Sequence, residues 1–121
     1  MPLTDQQLRN IDTTKEVKVE TRTEAGSTRT IIWIVVADGQ VYVRSVRGDE
    51  GHWYQRALAN PSVAIHVAGD TIEFEAVPVD DDETIETVSD ALRSKYQPGG
   101  SLDRMVRDEV LGDTLRLDPV D

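Results

Sequence analysis

The chain has no cysteine among its 121 residues. That excludes a disulfide framework and any thiolate metal site, and it fits a reducing, cytoplasmic setting. Aromatic residues are scarce: two tryptophans, three tyrosines and a single phenylalanine. A surface that stacks the bases of single-stranded nucleic acid needs several exposed rings, and few are available here. Long apolar runs are missing too. The longest, Ile31 to Ala37, falls far short of the roughly 20 residues that cross a bilayer. The opening MPLTDQQLRN has neither the basic start nor the apolar stretch of a secretion signal.

Basic charge is also in short supply, with 13 Lys/Arg against 23 Asp/Glu and a net charge of −10. The imbalance is uneven. Residues 1–60 carry eight of each sign, and residues 61–121 carry five basic and fifteen acidic side chains. A chain this acidic is a poor general binder of nucleic acid and repels an anionic membrane, so neither is an expected partner. An anion site belongs in the balanced first half.

The length fits one domain, 1–121, with a modest core. Thr4 and Gln7 have the spacing of a capping box, which predicts a short helix to about Ile11. Val17, Val19 and Thr21 alternate with charged residues as a half-buried strand does. Thr28 to Val36 reads as a second strand whose continuous run Ile31 to Val36 implies cover on both faces. Asp38-Gly39 signals a type I′ hairpin into a strand from Gln40 to Val46. A helix from Asp49 ends at Asn60-Pro61, because the residue before proline avoids helical geometry.

Val63, Ile65 and Val67 alternate as a fourth strand, and Ile72, Phe74, Ala76 and Pro78 mark one face of a fifth. Asp80 to Glu83 starts a helix carrying Ile85, Val88 and Leu92; Gln97 to Gly100 breaks it; Ser101 caps another; Gly112 to Leu117 is a last strand. Six mostly antiparallel strands with short helices make an α+β protein, a barrel or half-barrel. So small a barrel has little interior to spare for a ligand. A ligand would lie on an outer face or between two subunits.

The stretch Val41 to Pro61 carries the chemistry. A strand bearing Arg44 and Arg47 ends at Gly48 and passes into a helix with Trp53, Tyr54 and Arg56. A strand end, a glycine and a helix start expose backbone N–H groups, and guanidinium groups beside them favour a phosphate. The two rings could cover a flat ligand, so the combination points to a phosphorylated aromatic cofactor. The competing reading is structural. Arg44 and Arg47 are three apart and face opposite sides of a regular strand. Trp53 shares a helix face with Ala57 and Asn60, as packing residues do. Arg56 reads as an exposed helix charge, with phosphate contact as the lesser alternative, and Trp33 as core or dimer interface.

No other chemistry is evident. His52 and His66 lack the spacing of metal ligands, so no metal is expected. Ser45, Asp49 and His52 have no nucleophile elbow around them. The acids from Asp80 to Glu83 suit a helix start and lack the turn glycine of a calcium loop. No catalytic acid or base can be named.

The run from Trp33 to Asp38-Gly39, then Arg44-Ser45-Val46-Arg47-Gly48, then Trp53-Tyr54, resembles the flavin- and deazaflavin-binding split-barrel superfamily. Within it the chain is most similar to small pyridoxamine-phosphate-oxidase-like and deazaflavin-dependent nitroreductase-like proteins, over Thr4 to Pro119. The resemblance implies a six-stranded antiparallel split β-barrel, a homodimer, and flavin mononucleotide (FMN) or a deazaflavin held at the barrel edge. Arg47 stands where relatives have a phosphate-binding lysine. Val46 replaces their serine, leaving Ser45 or Arg44 to supply a donor. The strand through Thr30 and Ile32 would lie beside the ring, with Gly48, Trp53 and Tyr54 completing the site. The implied activity is that of an oxidoreductase passing hydride between the cofactor and a small molecule, with Tyr54 or solvent handling protons. The alternative is a non-catalytic cofactor carrier or a structural dimeric barrel.

Overall fold

A computed structural model describes residues 3–120. Thr4 opens helix α1 (Asp5–Thr13) with the expected capping box: its hydroxyl accepts from the Gln7 N–H while the Gln7 side chain accepts from the Thr4 N–H. Strand β1 (Glu16–Thr23) buries Val17, Val19 and Thr21 in strict alternation. It turns into β2 (Gly26–Ala37), the longest strand. Asp38 and Gly39 both take positive φ, 51° and 75°, as a type I′ turn requires. They return the chain as β3 (Gln40–Arg44).

The following stretch departs from expectation. The predicted helix from Asp49 is instead a single 3₁₀ turn at Gly48–Glu50, then α2 (His52–Ala59) with Gly51 as its N-cap. Gly51 makes the break. A Cβ there would stand 2.4 Å from the Ser45 hydroxyl, so only glycine lets the chain pass that close. Strands β4 (Ser62–Val67) and β5 (Asp70–Val79) form a hairpin. Helix α3 (Asp82–Lys95) is capped by Asp81, whose carboxylate accepts from the Thr84 N–H at 2.9 Å. Helix α4 (Gly100–Val106) is capped by Gly99, with Ser101 already inside it. A 3₁₀ turn at Asp108–Val110 leads to β6 (Thr114–Pro119).

The strands close into a barrel in the order β1-β2-β3-β6-β5-β4, every pair antiparallel. Phe74, Ile34, Ile65, Leu115 and Leu117 fill the interior, each buried from solvent. Ile11 of α1 and Trp53, Tyr54 and Ala57 of α2 join this core. A second apolar cluster lies outside the barrel, where Val35, Tyr42 and Val79 pack beneath α3 and α4. It accounts for the apolar run from Ile32 to Val36, with Ile34 inward and Val35 under α3, but not for Ile31, which is exposed where cover on both faces was expected. It also corrects the reading of β5. Ile72, Phe74 and Ala76 are buried as expected, Pro78 is exposed, and Val79 turns to the outer cluster.

One feature of the topology makes room for a site. Strand β2 pairs with β1 over Gly26–Trp33, but its pairing with β3 begins only at Ile34. Its N-terminal half therefore has one edge free of any strand, with main-chain N–H and C=O groups to offer.

Candidate functional site

A cleft of about 590 Å³ runs along that free edge. Thr28 to Trp33 of β2 form one wall, the loop from Arg44 to Arg47 and the start of α2 another, and Ser101, Arg104 and Met105 of α4 close the end. Of the residues singled out in the sequence, Thr30, Ile32, Arg44, Ser45, Arg47 and Trp53 line it. Gly48 and Tyr54 do not. Gly48 turns the loop at φ 63° against Asp113. Tyr54 is buried behind the wall, edge-on to Trp53 with centroids 6.0 Å apart. Burial, then the neighbouring Asp113 carboxylate, pushes its phenol up to about 12. Trp53 is buried too, so it packs the core while touching the cleft.

Ser45 and Arg44 hold the wall. The Ser45 hydroxyl donates to the Gly48 carbonyl at 2.8 Å, and its N–H donates to Asp113 O at 3.1 Å. That leaves no pairing of Ser45 with His52, which sits exposed at the cleft. Arg44 is 2 % exposed. Its Nε donates to Thr114 Oγ1 at 2.7 Å, Nη1 to Ser89 Oγ at 2.9 Å and Met105 O at 3.0 Å, and Nη2 to Ile85 O at 3.1 Å. Guanidinium has five N–H groups, and these contacts occupy most of them. Burial, then the nearby Arg93 charge, pushes its pKa down to about 10, so it stays cationic at neutral pH. The sequence offered Arg44 as an anion donor; the fold uses it to tie α3, α4 and β6 to β3.

Arg56 occupies the opposite situation. It is half-buried in the cleft wall. Its Nε donates to Thr21 Oγ1 at 2.7 Å, and Nη2 lies 3.5 Å from Thr30 Oγ1. No carboxylate of a described residue is in ion-pair range of Arg47, Arg56 or Arg104. Among the described residues, Glu16 is the one acid lining the cleft. In a protein of net charge −10, these walls concentrate positive charge, which suits an anion.

Arg104, Ser101 and Glu16 were not singled out as site residues in the sequence, and nothing local marks them for that role. Arg56 carried one usable signal, its place one helical turn after Trp53.

His66 lies elsewhere, its Nε2 2.7 Å from Glu20 Oε1 and its Nδ1 3.0 Å from Thr71 Oγ1 on the outer sheet face. Among the described residues no group of three or more His, Asp or Glu converges as a metal site, and no helix is long and apolar enough to cross a membrane.

The sequence of residues 7–117 matches the family described as "Uncharacterized protein conserved in bacteria (DUF2255)". The chain belongs to this family. A search of curated proteins finds no match. Solved structures agree on the fold. The heme storage protein HutZ of Vibrio cholerae superposes with a TM-score of 0.75 at 17% identity, covering 100% of this chain and 92% of that one. A pyridoxamine 5′-phosphate oxidase-like protein of Listeria innocua gives 0.70 at 13% identity, covering 97% and 93%. An F420-H2 dependent reductase, FDR-A, gives 0.64 at 14% identity, covering 86% and 94%. At these identities the likeness establishes the split-barrel fold, as the sequence resemblance implied.

Proposed function

We propose that this member of the family binds a phosphorylated flavin or deazaflavin in the cleft and is an oxidoreductase acting on a small molecule. One observation carries the reading: arginines without carboxylate partners line a cleft beside the free edge of β2, in a chain rich in acid. The residues present fit such a group. Arg47 and Arg56 would hold the phosphate, and the main chain from Thr30 to Ile32 would offer N–H and C=O groups to the polar edge of the ring. Ile31 and Val46, 61% and 36% exposed, give the cleft mouth an apolar lip. When bound, the cofactor supplies the hydride chemistry. The chain's part is to bind, orient and exclude water. His52 and Glu16, both at the cleft, are its proton-carrying groups there. Tyr54, buried and held protonated, is removed from that role.

The fold-level neighbours support the reading, since one is a reductase dependent on F420-H2 and another is described as FAD-binding. A heme storage protein also shares the fold. Carriage without turnover is therefore the second reading, favoured by Val46, which brings no hydroxyl where the resemblance expects a serine. We also propose a homodimer that covers the exposed Ile31; light scattering of wild type against Ile31→Lys tests it.

The functional test is a titration with FMN and with a deazaflavin, followed by mixing the reduced complex with nitroaromatic and quinone acceptors. Micromolar binding and acceptor-dependent reoxidation faster than that of the free cofactor support the oxidoreductase. Binding without such acceleration favours the carrier. Absence of binding removes both.

A further inference from the structure

The position of Arg56 goes beyond cofactor binding as such. Three facts set it apart. First, the guanidinium is aimed: Nε is fixed on Thr21 Oγ1 at 2.7 Å, and that hydroxyl, fully buried, lies 3.5 Å from the Thr28 carbonyl it donates to. Second, the charge is unspent. Other arginines find carboxylates: Arg22 reaches Glu73 at 2.8 Å, Arg29 reaches Glu20 at 3.5 Å, and Arg116 reaches Asp118 at 2.7 Å. Arg56 reaches none among the described residues. Third, its remaining N–H groups share the cleft wall with the hydroxyls of Thr28 and Thr30. A half-buried guanidinium held by two neutral hydroxyls, Thr21 at 2.7 Å and Thr30 at 3.5 Å, matches the oxygens of a phosphomonoester or phosphodiester.

We propose that Arg56, positioned by Thr21 and assisted by Thr30, is the phosphate anchor of the cleft and decides between phosphorylated and unphosphorylated ligands. The proposal rests on the cofactor reading above but makes an anchor of a residue that the sequence read first as an exposed helix charge and only second as a phosphate contact. Arg44 has no such role, because its donors are committed to the protein. Arg47, exposed and unaimed, contributes charge.

The test compares FMN with riboflavin, which differ by the phosphate, in wild type, Arg56→Gln, Arg56→Lys, Thr21→Val and Arg47→Ala. Circular dichroism and Tm confirm that each variant folds. Arg56→Gln is expected to weaken FMN about tenfold to a hundredfold, the usual worth of a charged hydrogen-bonding group, and to leave riboflavin unchanged. Arg56→Lys keeps the charge but loses the grip on Thr21, so it recovers part of the affinity. Thr21→Val, which frees the guanidinium without removing it, weakens FMN several-fold.

FMN affinity unchanged in Arg56→Gln and lost in Arg47→Ala overturns the proposal and leaves the cofactor reading standing. Wild-type protein that binds neither FMN nor a deazaflavin overturns the cofactor reading instead. The anchor is then judged with inorganic pyrophosphate alone. A Tm rise present in wild type and absent in Arg56→Gln upholds it, and no rise in wild type overturns it as well.

Discussion

Arg44 and Arg56 share a design and differ in outcome. Each donates its Nε to a fully buried threonine hydroxyl at 2.7 Å, Thr114 for one and Thr21 for the other. Each threonine passes its own proton to a backbone carbonyl, Leu111 O at 2.9 Å or Thr28 O at 3.5 Å. Beyond that point they part. The other end of Arg44 is closed by Ser89, Met105 O and Ile85 O, whereas the other end of Arg56 faces the cleft. A buried cation completed by the protein ties elements together; one left incomplete is free to bind. Burial and charge alone would have ranked them the other way.

The strongest way to break the comparison is Arg44→Met. It leaves Thr114, Ser89 and two helix carbonyls without their charged donor, while removing the cost of burying a cation. The expected net loss is about 2–4 kcal/mol, read as a lower urea midpoint. FMN affinity of the remaining folded protein should be nearly unchanged. A selective loss of FMN affinity with no loss of stability would put Arg44 back among the ligand donors.

The two threonines divide next. Thr114→Val strands Arg44 Nε in the interior, takes a donor from the half-buried Leu111 O, and should cost about 1–3 kcal/mol. Thr21→Val should cost less, about 1 kcal/mol or under, because the Arg56 head can turn to water. Equal costs from urea denaturation would mean that Arg56 is as fully enclosed as Arg44.

Why the sequence does not reveal which of the two arginines the fold encloses is a matter of range. The I′ turn at Asp38-Gly39, the Thr4–Gln7 box and the helix stop at Asn60-Pro61 were legible because each rests on residues within three of one another. Alternation in β1 and β4 gave the barrel strands for the same reason. The acceptors that commit Arg44 lie 41 to 70 residues away, and Thr21 lies 35 from Arg56. No local pattern encodes those meetings; barrel closure and the docking of α3 and α4 do. The break at Gly51 was partly legible, since a glycine so near a helix start weakens it, but the close approach of Ser45 that demands it was not.

Lys95 sharpens the contrast from a third side. Its Nζ donates to Ile11 O at 3.0 Å and Ile34 O at 2.6 Å, joining α1, β2 and α3. Burial pushes its pKa down to about 8, partly opposed by Asp12. An unfolded lysine titrates near 10.4. Between these values the unfolded chain holds more protons than the folded one, so stability should rise with pH across that window. Below pH 8 both states are charged and the slope vanishes. Arg44, pushed down only to about 10, stays charged through the lower part of that window. Urea midpoints at pH 7.5 and 9.5 should separate wild type from Lys95→Met increasingly with pH. A constant separation would mean that the two carbonyls hold the ammonium charged against its burial.

The smallest expected effect discriminates most finely. Arg56→Gln should shift stability by no more than about 0.5–1 kcal/mol, because it forfeits one short hydrogen bond to Thr21 and a long one to Thr30 while Thr21 keeps its carbonyl partner. Removing the cation also relieves a half-buried charge that has no carboxylate beside it among the described residues, so the shift could take either sign within that range. Stability and binding then dissociate: Arg44→Met lowers the urea midpoint and spares the ligand, and Arg56→Gln spares the midpoint and loses the ligand. If Arg56→Gln instead destabilises the fold as much as Arg44→Met, its donors are spent within the protein after all, and the cleft's anion must be held from Arg47 and Arg104.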